Sequence, residues 1–147
     1  MWCQVLDSTR VLELKMWAMI NEERLNPRNF AETEGGAGRL EFDQLLAEVA
    51  RNHSADMLRR RFFAHRNPDG LRPVDRIGRR RIKWSLVAEN IGWGNVGAEA
   101  LHRGFMNEPP FEANHRANIL CPSFQMVGVG IVRAGRFLLV TQDFVAA

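Results

Sequence analysis

Two histidines are the side chains of this sequence best placed to do chemistry. His65 precedes the turn signal Asn67-Pro68-Asp69-Gly70, and His115 lies in a polar segment just before Ile119. Both histidines are therefore expected to leave regular structure where side chains can converge. Neutral imidazole is the commonest metal ligand and titrates near neutral pH, so this pair could bind zinc or relay a proton.

Two glutamates could complete such a site. Glu89 lies between apolar residues, where a buried carboxylate needs polar partners. Glu108 follows Leu101 by seven residues and is expected on the same face of a helix. Because a catalytic zinc normally takes three protein ligands and a water, His65 and His115 could bind it with one glutamate, leaving the other as a general base. From the residues alone, four scattered side chains favour separate structural roles over one shared site, and the shared site stays open as the alternative.

The other histidines are interpreted as structural. His53 falls on the apolar stripe of a predicted helix and is expected to be a hydrogen-bonded core residue. His102 is expected on a solvated helix face. Gly128 and Gly130 alternate in a predicted strand and indicate a close approach of another backbone.

The regular elements that must position these residues follow from periodicity and breakers. The sequence predicts three helices: one capped by Asp7 or Ser8 and ended at Asn26-Pro27, one capped by Asp43 and running past Met57, and one over 98–107 ended by Pro109-Pro110. It predicts a strand within 82–94 and a hairpin of strands 126–132 and 137–144. Helices combined with a terminal hairpin predict an α+β fold in one domain, residues 1–147.

Composition narrows the class of protein. The chain has 147 residues, 46% of them apolar, and a net charge of +3, which is ordinary for a globular protein and unlike a disordered one. No stretch approaches the roughly 20 apolar residues of a membrane helix, so no transmembrane segment is expected. The runs Arg59–Arg61 and Arg79–Arg81 lack interleaved aromatic residues, so nucleic acid is not an expected partner. Cys3 and Cys121 could form a disulfide or remain two thiols.

Six short motifs occur in an order that resembles one known family. They are Asn52-His53-Ser54-Ala55-Asp56-Met57, Phe62-Phe63-Ala64-His65, Ala88-Glu89-Asn90-Ile91, His115-Arg116-Ala117-Asn118-Ile119-Leu120, Val127-Gly128-Val129-Gly130 and Thr141-Gln142-Asp143-Phe144. Together they look like the CAP superfamily of cysteine-rich secretory proteins, antigen 5 and pathogenesis-related protein 1. The spacing resembles its bacterial SCP-like extracellular branch, over about residues 14–144.

The resemblance implies an α-β-α sandwich with a central antiparallel sheet between helical layers. It also implies a cleft tetrad of His65, Glu89, Glu108 and His115. Two departures concern the cleft: the stretch 109–114 is longer than in the commonest bacterial form, and Phe105 stands where many relatives have tryptophan. The family implies an extracellular or cell-envelope protein, with the export signal absent from this sequence.

Two functions are compatible with this resemblance. In the first, the chain is a binding module whose cleft holds a divalent metal such as Zn²⁺, or a lipid or cell-envelope ligand. In the second, zinc on His65 and His115 activates water for hydrolysis, and Glu89 or Glu108 is the catalytic base. Binding is ranked above catalysis, and no organic cofactor is expected.

Overall fold

Five α-helices and four strands are the main elements of residues 8–147, the part of the chain that this computed structural model describes. In chain order they are α1 (Ser8–Leu25), β1 (Glu41–Phe42), α2 (Gln44–Arg60), α3 (Pro73–Arg79), β2 (Leu86–Gly94), α4 (Ala98–Met106), α5 (His115–Leu120), β3 (Met126–Ala134) and β4 (Phe137–Ala146). The three predicted helices correspond to α1, α2 and α4. The short helices α3 and α5 were not predicted, and β2 begins only at Leu86 rather than near residue 82.

The sheet has the order β1-β3-β4-β2, so β2 forms one edge. The three long strands are antiparallel, with Glu89 opposite Asp143 and Gly130 opposite Thr141. The predicted hairpin is therefore confirmed. The two-residue strand β1 adds a short parallel pairing to β3 that was not predicted.

Helices cover both faces of this sheet. On one face, α2 and α3 enclose a small core that includes Leu46, Ile77 and Val145. On the other face, α1, α4 and α5 enclose the larger core, which includes Met16, Phe105, Ile119, Val129 and Phe144. The predicted α-β-α sandwich is thus confirmed, and successive residues of β2 must face opposite helical layers.

Helix α2 lies directly against the backbone of β3. A Cβ atom added to Gly128 would lie 2.2 Å from the carbonyl carbon of Leu46, and one added to Gly130 would lie 2.0 Å from the amide nitrogen of Arg51. Neither distance is sterically possible, so only glycine permits this contact. The close backbone approach predicted for both glycines is confirmed.

A buried arginine fixes the segment that follows α5. The Arg24 guanidinium donates hydrogen bonds to the carbonyl oxygens of Gly38 (2.8 Å), Ile119 (3.0 Å) and Cys121 (2.7 Å). Burial lowers the pKa of Arg24 to about 10, despite the opposing effect of Cys121. Arg24 thereby ties α1 to the end of the helix that begins with His115.

Two predictions concern residues outside the described range. Cys3 and Asp7 precede residue 8, so the Cys3–Cys121 bridge and the Asp7 cap stay predictions. Within residues 8–147, no helix combines the length and the apolar character needed to cross a membrane.

Candidate functional site

His65 and Glu89 form the first of two histidine–carboxylate pairs. His65 lies in the loop after α2, as predicted, and its Nδ1 is 2.8 Å from Oε1 of Glu89 on β2. The His65 side chain is 53% exposed, whereas that of Glu89 is only 1% exposed. The pair therefore presents an imidazole at the surface and anchors it through a buried carboxylate.

A third residue, Arg76 of α3, holds the other oxygen of Glu89. Its Nη2 donates to Oε2 of Glu89 at 2.6 Å, and its Nη1 donates to the carbonyl oxygens of His65 (2.6 Å) and Leu71 (3.0 Å). Burial opposes ionisation of Glu89, but the hydrogen bond with His65, the neighbouring Asp143 and the charge of Arg76 together lower its pKa. Glu89 is thus an ionised carboxylate inside the fold.

Asp143 of β4 lies next to Glu89 on the neighbouring strand β2. The two residues are opposite in the β2–β4 register, and Asp143 is fully buried. Neither Asp143 oxygen has a hydrogen-bond partner of good geometry within residues 8–147. Burial, followed by the charge of Glu89, raises the pKa of Asp143 well above its ordinary value. Asp143 therefore gives up its proton less readily than an ordinary aspartate, next to the ionised Glu89.

Replacing Asp143 with asparagine is expected to raise the free energy of unfolding at neutral pH. An aspartate whose folded pKa is raised must take up a proton on folding at any pH between its unfolded and folded values, which costs stability. Below pH ~4, the ordinary pKa of unfolded aspartate, both states are protonated and the cost disappears. Urea unfolding of both proteins at neutral and acidic pH measures this difference. If the gain in free energy of unfolding from Asp143→Asn were as large at acidic pH as at neutral pH, the raised pKa of Asp143 would be contradicted.

His53 lies beside Glu89, but its side chain is buried and cannot contact a ligand. Its Nε2 is 2.9 Å from the carbonyl oxygen of Ala64 and therefore donates to it, and it is 3.9 Å from Oε1 of Glu89. Burial lowers the pKa of His53 more than the charge of Glu89 raises it. His53 is the hydrogen-bonded core histidine that the sequence predicts.

His115 and Glu108 form the second pair. Nδ1 of His115 is 2.7 Å from Oε2 of Glu108, whose Oε1 accepts hydrogen bonds from the backbone amides of His115 (2.7 Å) and Arg116 (3.3 Å). Burial opposes ionisation of Glu108, but its bond with His115 and these amides lower its pKa. Glu108 therefore both orients the imidazole and binds the start of α5.

The placement of this second pair corrects two predictions. Glu108 does not belong to a helix face shared with Leu101, because α4 ends at Met106. His115 does not leave regular structure: it is the first residue of α5, after Asn114, whose side chain accepts the amide of Ala117 at 2.9 Å. The sequence stretch before His115 is polar because it caps a helix too short to show periodicity.

An aromatic ring fixes the His115 imidazole from one side. The rings of Phe105 and His115 are stacked, with centroids 4.6 Å apart. Phe105 in turn occupies the space above Gly92, where an added Cβ would lie 2.8 Å from its ring. Gly92 of β2 therefore lets α4 approach closely enough for Phe105 to support His115.

His102, by contrast, is not the solvated helix residue that was predicted. It is buried between α4 and α1, and neither ring nitrogen has a hydrogen-bond partner within the described part of the chain. Burial lowers the pKa of His102 against the opposing charges of Glu23 and Glu22. The prediction was wrong because the packing of α1 against α4 cannot be read from the short α4 sequence.

The two pairs approach the edge strand β2 from opposite helical layers. Glu89 faces α2 and α3, whereas the next residue, Asn90, faces α5. Nδ2 of Asn90 donates to the carbonyl oxygen of His115 at 3.2 Å, and Oδ1 of Asn90 accepts from Nδ2 of Asn118 at 2.8 Å. Asn90 and Asn118 thus link strand β2, which carries Glu89, to helix α5, which begins with His115.

An open groove of about 450 Å³ runs beside this edge. Its lining residues are His65, Arg72, Pro73, Val74, Val87, Ala88, Glu89 and Asn118. His115 and Glu108 are not among them. From residue 8 onward, no three His, Cys, Asp or Glu side chains are arranged to hold one metal ion.

Sequence reasoning assigned no individual role to four residues of the site. Arg76 lies outside the quoted motifs, and Asn90, Asn118 and Asp143 were quoted only as parts of motifs. A signal for Arg76 was present: Pro73 at a helix start, with Asp75 accepting the amide of Arg72 at 2.9 Å, marks the beginning of α3.

Comparisons with known proteins agree with this architecture. The model of the cysteine-rich secretory protein family, CAP, matches residues 17–144. The uncharacterized protein YkwD of Bacillus subtilis is 31% identical over 138 residues, which cover 94% of this chain and 48% of that protein. The chain thus spans about half the length of this curated relative.

Solved structures show the same fold. An extracellular protein of Bacillus anthracis containing an SCP domain superposes with a TM-score of 0.77 at 25% identity, over 95% of this chain and 41% of that one. An outer surface protein of Borrelia burgdorferi superposes with a TM-score of 0.77 at 17% identity, over 94% of both chains. The sheet and its two helical layers are therefore shared with proteins whose sequences have diverged widely.

Proposed function

Because the chain belongs to the cysteine-rich secretory protein family, CAP, we propose that its cleft binds a divalent metal ion such as zinc through His65 and His115. The observation that carries this proposal is the hydrogen bond from each Nδ1 to a carboxylate. A carboxylate can only accept, so Nδ1 of each ring carries the proton and Nε2 remains as the donor to a ligand. Histidines that bind metals are commonly oriented by a carboxylate in this way.

The donor set proposed for zinc is two imidazoles, completed by water or by a ligand. It does not fit the expectation that Glu89 or Glu108 is a third protein ligand, since both carboxylates are occupied by histidine and by Arg76 or backbone amides. When bound, zinc would supply a Lewis acid beside the groove. The chain's own contribution is to hold the two imidazoles in one tautomer.

Hydrolysis is the weaker alternative. A general base needs a carboxylate oxygen within reach of a water, but the Glu89 side chain is almost fully buried. Glu108 is more accessible, yet both of its oxygens accept hydrogen bonds from His115 or the α5 backbone. The geometry therefore supports a binding module, residues 1–147 forming one CAP domain, over a zinc-dependent hydrolase.

The proposed ligand is a lipid or cell-envelope component held in the groove beside β2. The groove combines apolar lining, from Val74, Val87 and Ala88, with the polar groups of His65 and Asn118. Such a mixture suits an amphipathic ligand. An extracellular or cell-envelope location is part of this proposal, and it is consistent with the extracellular and outer-surface descriptions of the two solved relatives.

Calorimetric titration with zinc is expected to show one site per chain, which His65→Ala abolishes. Glu108→Gln, which weakens the orientation of His115, is expected to reduce affinity about 10–100-fold. The matched control is His102→Leu, which removes a buried histidine whose ring nitrogens have no hydrogen-bond partner among residues 8–147, and which should leave zinc affinity unchanged. Unaltered zinc binding by a folded His65→Ala protein would exclude this metal site.

A further inference from the structure

An apolar groove of about 460 Å³ lies on the face of the sheet that carries α2, at the hairpin end of the strands. We call it the aromatic groove; its lining residues are Met57, Leu58, Arg61, Phe62, Phe63, Trp93, Ala134, Phe137 and Leu139. It shares no residue with the groove beside His65. Trp93 follows Glu89 by four residues on β2, so the aromatic groove lies about 13 Å along the strand from the histidine site.

Large apolar side chains stand exposed at this groove. Trp93 is 56% exposed, Phe63 48% and Phe137 43%, and the rings of Trp93 and Phe137 lie 5.9 Å apart. Leu58 of α2 is also exposed. Scattered exposed apolar residues are ordinary, but a cluster of aromatic rings around one concave surface marks an interaction site.

The charged residues that line the aromatic groove or adjoin it on the hairpin are arginines. The three segments that supply its residues, 57–68, 90–98 and 113–142, contain no aspartate or glutamate. Arg61 lines the groove, and Arg136 lies in the hairpin turn next to the groove residue Phe137. These two arginines form no ion pair within the described chain, whereas Arg59 and Arg60 are paired with Asp56. The partner of this surface should therefore be anionic.

We infer that the aromatic groove docks on the surface of an anionic lipid bilayer. Tryptophan and phenylalanine partition into the headgroup boundary, where their apolar rings are buried and the indole N–H of tryptophan stays hydrated. Arginine pairs with lipid phosphates through its planar donor fork while its methylene groups lie along apolar surface. The hairpin and the end of α2 bring both kinds of side chain to one surface. This docking is independent of the metal proposed at His65 and His115.

Vesicle co-sedimentation in the presence of a chelator tests the inference. The protein is expected to bind vesicles of mixed phosphatidylglycerol and phosphatidylcholine and to bind pure phosphatidylcholine vesicles much more weakly. Trp93→Ser removes the most exposed ring and Arg136→Glu reverses a flanking charge; each is expected to lower the partition coefficient about tenfold or more. Intrinsic tryptophan fluorescence of the wild type should shift to the blue on binding.

Two matched controls distinguish binding through this surface from nonspecific binding to vesicles. Phe111→Ser removes an aromatic side chain that is 74% exposed and lies outside the groove, and Arg28→Glu reverses an exposed charge elsewhere. Both should bind anionic vesicles as the wild type does. The inference is overturned if the wild type does not bind anionic vesicles, or if Trp93→Ser binds them normally. It is also overturned if light scattering shows a dimer that Trp93→Ser dissociates, because the groove would then be a protein interface.

Discussion

Replacing Gly130 with alanine is expected to lower the free energy of unfolding by about 3 kcal/mol or more. Overpacking a core usually costs about 1–3 kcal/mol when side chains can yield. Here the added Cβ would lie 2.0 Å from the amide nitrogen of Arg51 and 2.4 Å from the carbonyl carbon of Ala50, so the backbone of α2 must move. Chemical denaturation of the variant and the wild type measures the difference.

Movement of α2 would also reach the functional site. Ser54 of α2 donates to the carbonyl oxygen of Gly130 at 3.1 Å, and His53 precedes it on the same helix. The control is Gly104→Ala in α4, where an added Cβ meets no atom within 4 Å. Because alanine is the better helix former, this control is expected to gain about 0.5–1 kcal/mol. A Gly130→Ala protein as stable as the wild type would refute the direct contact of α2 with β3.

Local patterns in the sequence were sufficient for the larger elements of the fold. Apolar periodicity predicted α2, and the cap at Asp43 is formed as expected, with its side chain accepting the amide of Leu46 at 2.8 Å. The hairpin followed from two β-rich runs around Gly135, which has a φ of +60°. The short helices α3 and α5 were not predicted, because helices of so few turns give no periodic signal.

The site was predictable as a set of residues but not as a geometry. The resemblance pointed to His65, Glu89, Glu108 and His115, and the sequence alone left them as four scattered side chains. They form two separate pairs because β2 is an edge strand whose successive residues, Glu89 and Asn90, face opposite helical layers. Arg76 could not be assigned to Glu89 from sequence, since their contact depends on how α3 packs against β2.

Replacing Arg76 with methionine is expected to destabilise the protein by about 3–5 kcal/mol at neutral pH. Removing one partner of a buried ion pair leaves the other charge uncompensated, which costs far more than the pair contributes. Without Arg76, Oε2 of the buried Glu89 would lose the guanidinium that donates to it at 2.6 Å. The loop would also lose the hydrogen bonds from Arg76 to the carbonyl oxygens of His65 and Leu71. Urea unfolding monitored by circular dichroism measures the cost.

A double-mutant cycle separates the charge of Glu89 from the packing of Arg76. In a Glu89→Gln background no buried carboxylate remains for Arg76 to compensate, so Arg76→Met is expected to cost less there than in the wild type. The control is Arg79→Met on the same helix, an exposed arginine without an ion pair among residues 8–147, whose loss should change stability by no more than about 0.5 kcal/mol. An Arg76→Met cost that is equal in both backgrounds would show that Arg76 acts through its loop hydrogen bonds and not through Glu89. The orientation of His65 by Glu89 would then have to be independent of α3.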